Sequence, residues 1–233
     1  MKGKCPIVIA HRGASEGTIK ENTLLAFERA IVVGADYIET DIQMTADGHL
    51  VCFHDRVFKG KKIRHLTYSA LRKLAKEEGF DVPTLEDTVV LCKGRIRLNL
   101  ELKETKMEHE VVNVLATHGV MESTLVSSFQ LSVLKKVRLA SARVTTGLIV
   151  GSKRHWLRDR RRIKKLQTVD VDVVCSHYRY VKKLHHLNVP LYIWTVNQKK
   201  TIRQMLDLNV DGLITDDVVL AKNIIQDQQY FKK

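Results

Sequence analysis

The stretch YIETDIQMTADGHLVCFHD, residues 37–55, decides how the fold of this chain is read. Its first part alternates apolar and polar residues with the period of two that is typical of a β-strand. Residues 45–48 then end in Asp-Gly, a pair that favours a hairpin turn. Since a parallel crossover needs a dozen or more residues, residues 49–55 are predicted to return as an antiparallel strand. With Met44 opposite His49, this hairpin would set Glu39 opposite His54.

Outside the hairpin, short β-branched segments alternate with amphipathic helical stretches along the whole chain. Repeated βα units predict a parallel sheet, and eight of them in 233 residues suit a closed barrel. We therefore predict an α/β protein, a TIM (β/α)8 barrel that forms a single domain over residues 1–233. Residues 56–83, directly after His54, are predicted to form a small insertion with one helix. The predicted barrel strands are IVIAHR from Ile7, YIETDI from Tyr37, RLNLEL from Arg97, TLVSSF from Thr124, TTGLIV from Thr145, VVCSHY from Val173, LYIWTV from Leu191 and GLITD from Gly212.

The composition points to a soluble protein with an anionic partner. The net charge is +13 and the pI is about 9.6, which favours phosphorylated small molecules, nucleic acid or an anionic membrane surface. The four cysteines form no CxxC pair, so zinc and redox chemistry are poorly supported. The apolar part of the N-terminus is too short for a signal peptide, and no stretch reaches the roughly 18 apolar residues of a membrane span. A cytoplasmic location is therefore predicted.

Carboxylates occupy the polar faces of two predicted barrel strands. Glu39 and Asp41 share one face of their strand, and Glu101 lies on the polar face of the strand from Arg97. If the apolar faces turn towards the helices, these carboxylates meet at the mouth of the barrel, where barrel enzymes place their active sites. Buried together they would repel each other and lose hydration, and a divalent cation removes both costs.

Oxygen-only ligands favour a hard ion over zinc. We therefore predict one divalent cation, Mg²⁺ or Ca²⁺, bound by these three carboxylates. The alternative interpretation is a buried ion-pair network that the carboxylates form with Arg12, Arg97 and Lys103.

Two histidines differ from the rest because each ends a strand beside the acidic ones. His11 and His54 would flank the cation site, and a pair of histidines makes a natural acid and base near neutral pH. Asp55 and Glu21 are candidates to orient them. Residues 21–23, Glu-Asn-Thr, equally suit the start of a helix.

The motifs of the chain occur together and in one order from end to end. These motifs are HRG at His11, ENTLLAF at Glu21, ETD at Glu39, FHD at Phe53, PTLED at Pro83, LELK at Leu100, SSF at Ser127, WTVN at Trp194 and DGLITD at Asp211. Their combination is specific, although HRG or HD alone would mean little, and by it the chain resembles the glycerophosphodiester phosphodiesterase family.

The resemblance implies a TIM barrel with an insertion after the second histidine, and an enzyme that hydrolyses glycerophosphodiesters to an alcohol and sn-glycerol 3-phosphate with Ca²⁺ or Mg²⁺. It implies that Arg12 and Lys103 hold phosphate oxygens and that Trp194 forms the wall beside glycerol. By the same resemblance, the metal ligands are Glu39, Asp41 and Glu101, and the acid and base are His11 and His54. One departure is Lys20, where the family usually has proline before ENT, which puts the headgroup preference in doubt.

Several alternatives stay open on the sequence. A phospholipase D-type enzyme acting on lysophospholipids would use the same ligands but would need an apolar rim. The basic run KRHWLRDRRRIKK, residues 153–165, suits a solvated helix face, nucleic acid or an anionic membrane surface, although no specific nucleic-acid motif is present. A barrel that has lost catalysis is disfavoured by the complete set of charged residues. The sequence leaves open the oligomeric state, the nucleophile (water or a glycerol hydroxyl) and the assignment of acid and base between the histidines.

Overall fold

The chain folds into a closed barrel of parallel strands with helices around it. The computed structural model describes residues 5–15, 17–151, 163, 171–184 and 186–230. Numbered along the described chain, the strands are β1 (Ile7–His11), β2 (Tyr37–Met44), β3 (Leu50–Cys52), β4 (Val57–Phe58), β5 (Lys61–Lys62), β6 (Arg97–Leu102), β7 (Thr124–Ser128), β8 (Thr145–Val150), β9 (Val173–His177), β10 (Leu191–Trp194) and β11 (Gly212–Thr215). The barrel order is β1-β2-β6-β7-β8-β9-β10-β11, and β1 closes it by pairing with both β2 and β11. The predicted TIM barrel, with its eight strands, is confirmed.

Helices follow most of the barrel strands. Threonines begin several of them: Thr23 accepts a hydrogen bond from the N–H of Ala26, and Thr84 forms a reciprocal capping box with Asp87. The α-helices of the described chain are α1 (Leu24–Val32), α2 (Tyr68–Glu77), α3 (Leu85–Cys92), α4 (Glu108–Thr117), α5 (Leu131–Ala140), α6 (Val181–Leu184), α7 (Lys199–Asp207) and α8 (Val218–Tyr230). None of the described helices is long and apolar enough to cross a bilayer.

The main core lies between the barrel and its helices. Leu98, Leu100 and Leu102 of β6 are buried there, together with Ile38 of β2 and Phe27 of α1. Each such side chain contributes about 1.5–3 kcal/mol of transfer free energy. Because these apolar faces turn outward to the helices, the polar faces of β2 and β6 turn into the barrel, as the alternation predicted.

The hairpin after β2 is confirmed, but its predicted register is wrong by one residue. Met44 pairs with Leu50 rather than with His49. The reason lies in the turn, where Thr45 and His49 form the closing pair: the N–H of Thr45 donates to the carbonyl of His49 at 2.9 Å, and the Thr45 hydroxyl accepts from the N–H of His49 at 3.0 Å. Since β3 ends at Cys52, His54 lies beyond the ladder and is not opposite Glu39.

The segment after His54 leaves the barrel and forms a small structure of its own. It contains the β4–β5 hairpin, a 3₁₀ turn (Ile63–His65) and α2. A separate cluster of apolar side chains holds it against β3. The buried members of this cluster are Val51, Phe53, Ile63, Leu66, Leu71, Ala75 and Val82.

Candidate active site

A cavity of about 170 Å³ opens at the carboxyl ends of the barrel strands. One half of its lining is charged and comes from β1, β2, β6 and the segment after β3. The other half, from β7 to β11, is largely apolar. Seven of the eight residues predicted for the site line this cavity: His11, Arg12, Glu39, His54, Glu101, Lys103 and Trp194. The eighth, Asp41, lies directly behind Arg12 and Lys103 and is 1% exposed.

The three predicted carboxylates form one cluster. Asp41 and Glu101 are direct neighbours across the β2–β6 ladder, and one carboxylate oxygen from each of the three residues lies within 4.8 Å of the others. Burial, and next the charge of Asp41, raise the pKa of Glu39 to about 8. Burial also raises the pKa of Glu101, although Lys103 opposes it. Assembling these acids is therefore costly for the folded chain.

Two cations partly neutralise the cluster. Lys103 Nζ lies 2.8 Å from Asp41 Oδ1 and 2.8 Å from Glu101 Oε1. Arg12 Nε lies 3.3 Å from Asp41 Oδ2. Burial acts in the opposite direction, but the charges of Lys103 and Arg12 hold the pKa of Asp41 below its ordinary value. The third cation of the ion-pair interpretation, Arg97, is not part of the cluster and stacks on the ring of Tyr37 at 4.4 Å. With all three carboxylates ionised, the two cations would leave one negative charge uncompensated.

The loop after β1 brings Arg12 and Asn22 to the cluster. Arg12 has φ 56°, and its backbone N–H donates to Glu39 Oε2 at 3.0 Å. Gly13 has φ 85°, and a Cβ there would lie 2.8 Å from the carbonyl carbon and the Cβ of Ala26, so only glycine fits beside α1. The amide of Asn22 donates to Asp41 Oδ2 at 3.0 Å. The sequence was consistent with a helix-start role for residues 21–23; Thr23 has that role, whereas Asn22 fixes the orientation of an acidic ligand candidate.

Glu21 was predicted either to orient a histidine or to belong to a helix start, and the structure pairs it with Arg12. Its Oε1 accepts from Arg12 Nη1 at 3.0 Å, and neither histidine is its partner. The prediction that Glu21 orients a histidine is therefore wrong. The physical reason is that Arg12, held with positive φ, turns its guanidinium between Glu21 and Asp41.

His11 is oriented by a residue that the sequence did not single out. Its Nδ1 lies 2.6 Å from Asp216 Oδ1, and its Nε2 lies 4.0 Å from Glu39 Oε2. The side-chain amide of Asn197 donates to Asp216, and Asn197 Oδ1 accepts the N–H of Asp216 at 2.9 Å. Burial lowers the pKa of His11, but the hydrogen bond to Asp216 and the charge of Glu39 outweigh it, so the pKa is raised. The motifs WTVN and DGLITD contain both supporting residues and were the available signal.

His54 lies across the cavity on the segment after β3. Its Nδ1 is 2.8 Å from Asp55 Oδ1, which agrees with the predicted orienting role of Asp55. Gln43, whose side chain is on the polar face of β2, donates to the carbonyls of Phe53 at 2.7 Å and Asp55 at 2.9 Å. Both ends of the histidine segment are thereby attached to the strand that carries Glu39 and Asp41.

Aromatic rings form the opposite wall of the cavity. Trp194 meets Phe129 edge to face at a centroid distance of 6.2 Å. The indole N–H donates to the carbonyl of Cys175 at 3.1 Å, which fixes the ring plane. His177 also packs edge to face on Trp194, at 5.2 Å, so this histidine supports a ring of the wall. The basic run at residues 153–165 lies outside the described residues, apart from Ile163.

Fold and site together define a barrel enzyme with an acidic, histidine-flanked centre at the carboxyl ends of its strands. The family model described as "Glycerophosphoryl diester phosphodiesterase family" matches residues 11–220. The chain belongs to the glycerophosphoryl diester phosphodiesterase family, and its predicted class as a phosphoric diester hydrolase is confirmed.

Relatives with this activity in their names span nearly the whole chain. The chain is 30% identical to a glycerophosphodiester phosphodiesterase of Caldanaerobacter subterraneus subsp. tengcongensis, over 94% of this chain and 98% of that protein. A crystal structure of a glycerophosphodiester phosphodiesterase from Parabacteroides distasonis is 26% identical with a TM-score of 0.84, covering 97% and 99% of the two chains. A phosphodiesterase from Oleispira antarctica, solved in complex with the product sn-glycerol-3-phosphate, shares the fold with a TM-score of 0.79 at 23% identity, covering 95% and 97%.

Proposed function

We propose that this chain hydrolyses glycerophosphodiesters to an alcohol and sn-glycerol 3-phosphate, using one divalent cation, Mg²⁺ or Ca²⁺, and two histidines as acid and base. The observation that carries the proposal is one cavity lined by His11, His54 and two members of the acidic cluster, Glu39 and Glu101. Family membership and the product bound by the Oleispira antarctica relative support the substrate class.

The acidic cluster fits a hard divalent cation. Glu39, Asp41 and Glu101 offer oxygen donors only, which Mg²⁺ and Ca²⁺ prefer. Burial and the charge of Asp41 raise the pKa of Glu39 to about 8, and a bound cation would favour the ionised carboxylate instead. When bound there, a divalent cation supplies charge that neutralises phosphate oxygens and a point of attachment for glycerol hydroxyls.

Arg12 and Lys103 are the proposed phosphate-binding residues. Both line the cavity, and both are held at the acidic cluster by ion pairs. Charge that builds on the non-bridging oxygens is stabilised by cations already in position, at no further cost of reorganisation. Trp194 lies on the apolar side, where its fixed ring would pack against the carbon skeleton of glycerol.

The two histidines move the protons. One removes a proton from the attacking hydroxyl as the new P–O bond forms. The other donates a proton to the leaving alkoxide as the old P–O bond breaks, and each transfer contributes about 10²–10⁴-fold. We assign the acid to His11, because its raised pKa keeps it protonated to higher pH, and the base to His54. The attacking hydroxyl is that of water or of the neighbouring glycerol; in the second case a cyclic phosphate forms as the alcohol leaves, and water then opens it to sn-glycerol 3-phosphate.

The decisive experiment is a substrate panel with coupled detection of sn-glycerol 3-phosphate, run with EDTA, Mg²⁺ and Ca²⁺. We expect several glycerophosphodiesters to release sn-glycerol 3-phosphate with either cation, and no release in the presence of EDTA. Lysophosphatidylcholine belongs in the panel, because a preference for it would establish the phospholipase D-type alternative. Full activity in EDTA would contradict the metal requirement, and no release from any diester would contradict the substrate class.

A further inference from the structure

The hairpin that begins two residues after His54 presents a dense set of exposed cations. The insertion, residues 56–83, contains eight Lys and Arg but three Asp and Glu. Lys59 pairs with Glu78, and Arg72 pairs with Asp81. Lys61, Lys62 and Arg64 are exposed, and none of these three has an ion-pair partner within the described part of the chain. We call residues 56–64 the basic hairpin.

The basic hairpin also exposes apolar surface on its outer face. Val57 pairs with Lys62 across the hairpin, whereas Phe58 pairs with Lys61. Phe58 turns inward and meets Phe53 at a ring distance of 5.1 Å. Since neighbouring strand residues point to opposite faces, Val57 and Lys62 point outward, and Val57 is 48% exposed. An exposed valine therefore stands beside an unneutralised lysine.

The basic hairpin is tied to the rim of the active-site cavity. Arg56 Nη2 donates to the carbonyl of Lys103 at 2.8 Å, which joins the start of the hairpin to a residue that lines the cavity. The start of α1 exposes further apolar side chains, with Leu24 at 39% and Leu25 at 62%. Leu24 and Leu25 share a groove with Phe80, whose ring packs on that of Phe58 at 6.0 Å. The inner face of the basic hairpin thereby connects, through Phe58 and Phe80, to a second patch of exposed apolar side chains.

We propose that the basic hairpin docks this protein on an anionic lipid bilayer, with the active-site cavity facing the membrane surface. Lysines and arginines bind acidic headgroups, while exposed aliphatic side chains enter the interfacial region, and stable attachment needs both. A bilayer is favoured over nucleic acid because the aromatic side chain of the hairpin, Phe58, is turned inward and is not presented for base stacking.

The test is co-sedimentation of the full chain with vesicles of phosphatidylcholine alone or with about 30 mol% phosphatidylglycerol. We expect binding to the acidic vesicles only, weakened by about 0.5 M salt. The variant K61E/K62E/R64E should lose at least about tenfold in partition coefficient. The control K93E/K135E/R203E makes the same change of net charge at exposed positions elsewhere and should bind within about twofold of the parent.

A second pair of variants tests the apolar contribution. Val57→Ser should weaken vesicle binding about threefold, whereas Val90→Ser, at another exposed valine on α3, should leave it unchanged. Both charge variants should keep full turnover of a soluble glycerophosphodiester, which shows that they are folded. Equal losses in the two charge variants, binding to neutral vesicles, or no vesicle binding at all would each overturn the proposal. So would an RNA gel shift that depends on the hairpin without vesicle binding.

Discussion

His11 Nδ1 lies 2.6 Å from Asp216 Oδ1, although 205 positions separate the two residues in the chain. His11 ends the first barrel strand and Asp216 follows the last, and closure of the barrel through β1 and β11 makes them neighbours. Asp216 is held in turn by Asn197 from the loop after β10. The pairing orients the imidazole so that Nε2 faces Glu39 and the cavity.

Replacing Asp216 by Asn should reduce kcat without preventing folding. The amide keeps the shape but removes the charge that raises the pKa of His11, so we expect kcat to fall about 10²–10³-fold with KM changed less. The limb of the pH–rate profile that belongs to His11 should move to lower pH. Steady-state kinetics across pH measure both effects, and an unshifted profile would show that Asp216 has only a structural role.

Removing either histidine should abolish turnover of a folded protein. We expect His11→Ala and His54→Ala each to lose about 10²–10⁴-fold or more in kcat, because each deletes one proton transfer. Cation binding, followed by calorimetry, should persist in both. A matched control is His118→Ala, since His118 pairs with Glu86 on the helix side and should retain full activity. Near-parental activity in either cavity variant would refute its assigned role.

Glu39→Ala should lose most of its affinity for Mg²⁺ and Ca²⁺. One of the three proposed carboxylate ligands disappears, and the two that remain are already paired with Lys103. Titration calorimetry measures the effect, with Glu110→Ala, an exposed acid on α4, as the control. If Glu39→Ala bound the cation as tightly as the parent, the proposed ligand set would be incorrect.

Because Glu39 loses its proton, the metal-free protein should become less stable as the pH rises towards 8. The pKa of Glu39 in the folded chain is about 8 against an ordinary value of 4.5, so the folded state holds the proton more tightly than the unfolded state. This contribution to the free energy of unfolding is complete below pH 4.5 and is lost as the pH rises to about 8.

Denaturant unfolding in EDTA, compared between the parent and Glu39→Gln at several pH values, isolates that contribution. Below pH 4.5 the two proteins should be about equally stable, and as the pH rises towards 8 the parent should become less stable than Glu39→Gln, because the amide stays neutral. Cation affinity should increase over the same pH range, because the ion competes with the proton for the carboxylate. A pH-independent difference would contradict the raised pKa.

Lys103→Met should destabilise the metal-free protein more than the cation-loaded one. Removing the ammonium leaves Asp41 and Glu101 buried without their shared partner, which costs about 3–5 kcal/mol. Added Mg²⁺ or Ca²⁺ should restore much of this loss while activity stays low, since a phosphate-binding charge is gone. Thermal unfolding with and without the cation gives the comparison, and an equal loss in both conditions would argue against Asp41 and Glu101 as ligands shared by the ammonium and the cation.

The sequence alone was sufficient to predict the barrel and the three residues of its acidic cluster. Alternation along residues 37–44 and 97–102 assigns Glu39, Asp41 and Glu101 to inward faces, because side-chain direction in a strand follows from backbone geometry alone. The short turn at residues 45–48 identified an antiparallel partner for β2, but it did not determine the register. The register depends on which two residues close the turn, and the hydroxyl of Thr45 accepts from the N–H of His49, which makes these two the closing pair.

Tertiary structure alone decided the contacts that orient the site. Asn22 reaches Asp41, Glu21 pairs with Arg12, Gln43 holds the segment of His54, and Asp216 holds His11. The direction of side chains alternates from one strand residue to the next, so a single sequence is enough to predict it. A hydrogen bond between side chains of distant segments depends on barrel closure and on φ values such as that of Arg12, and neither has a local sequence period.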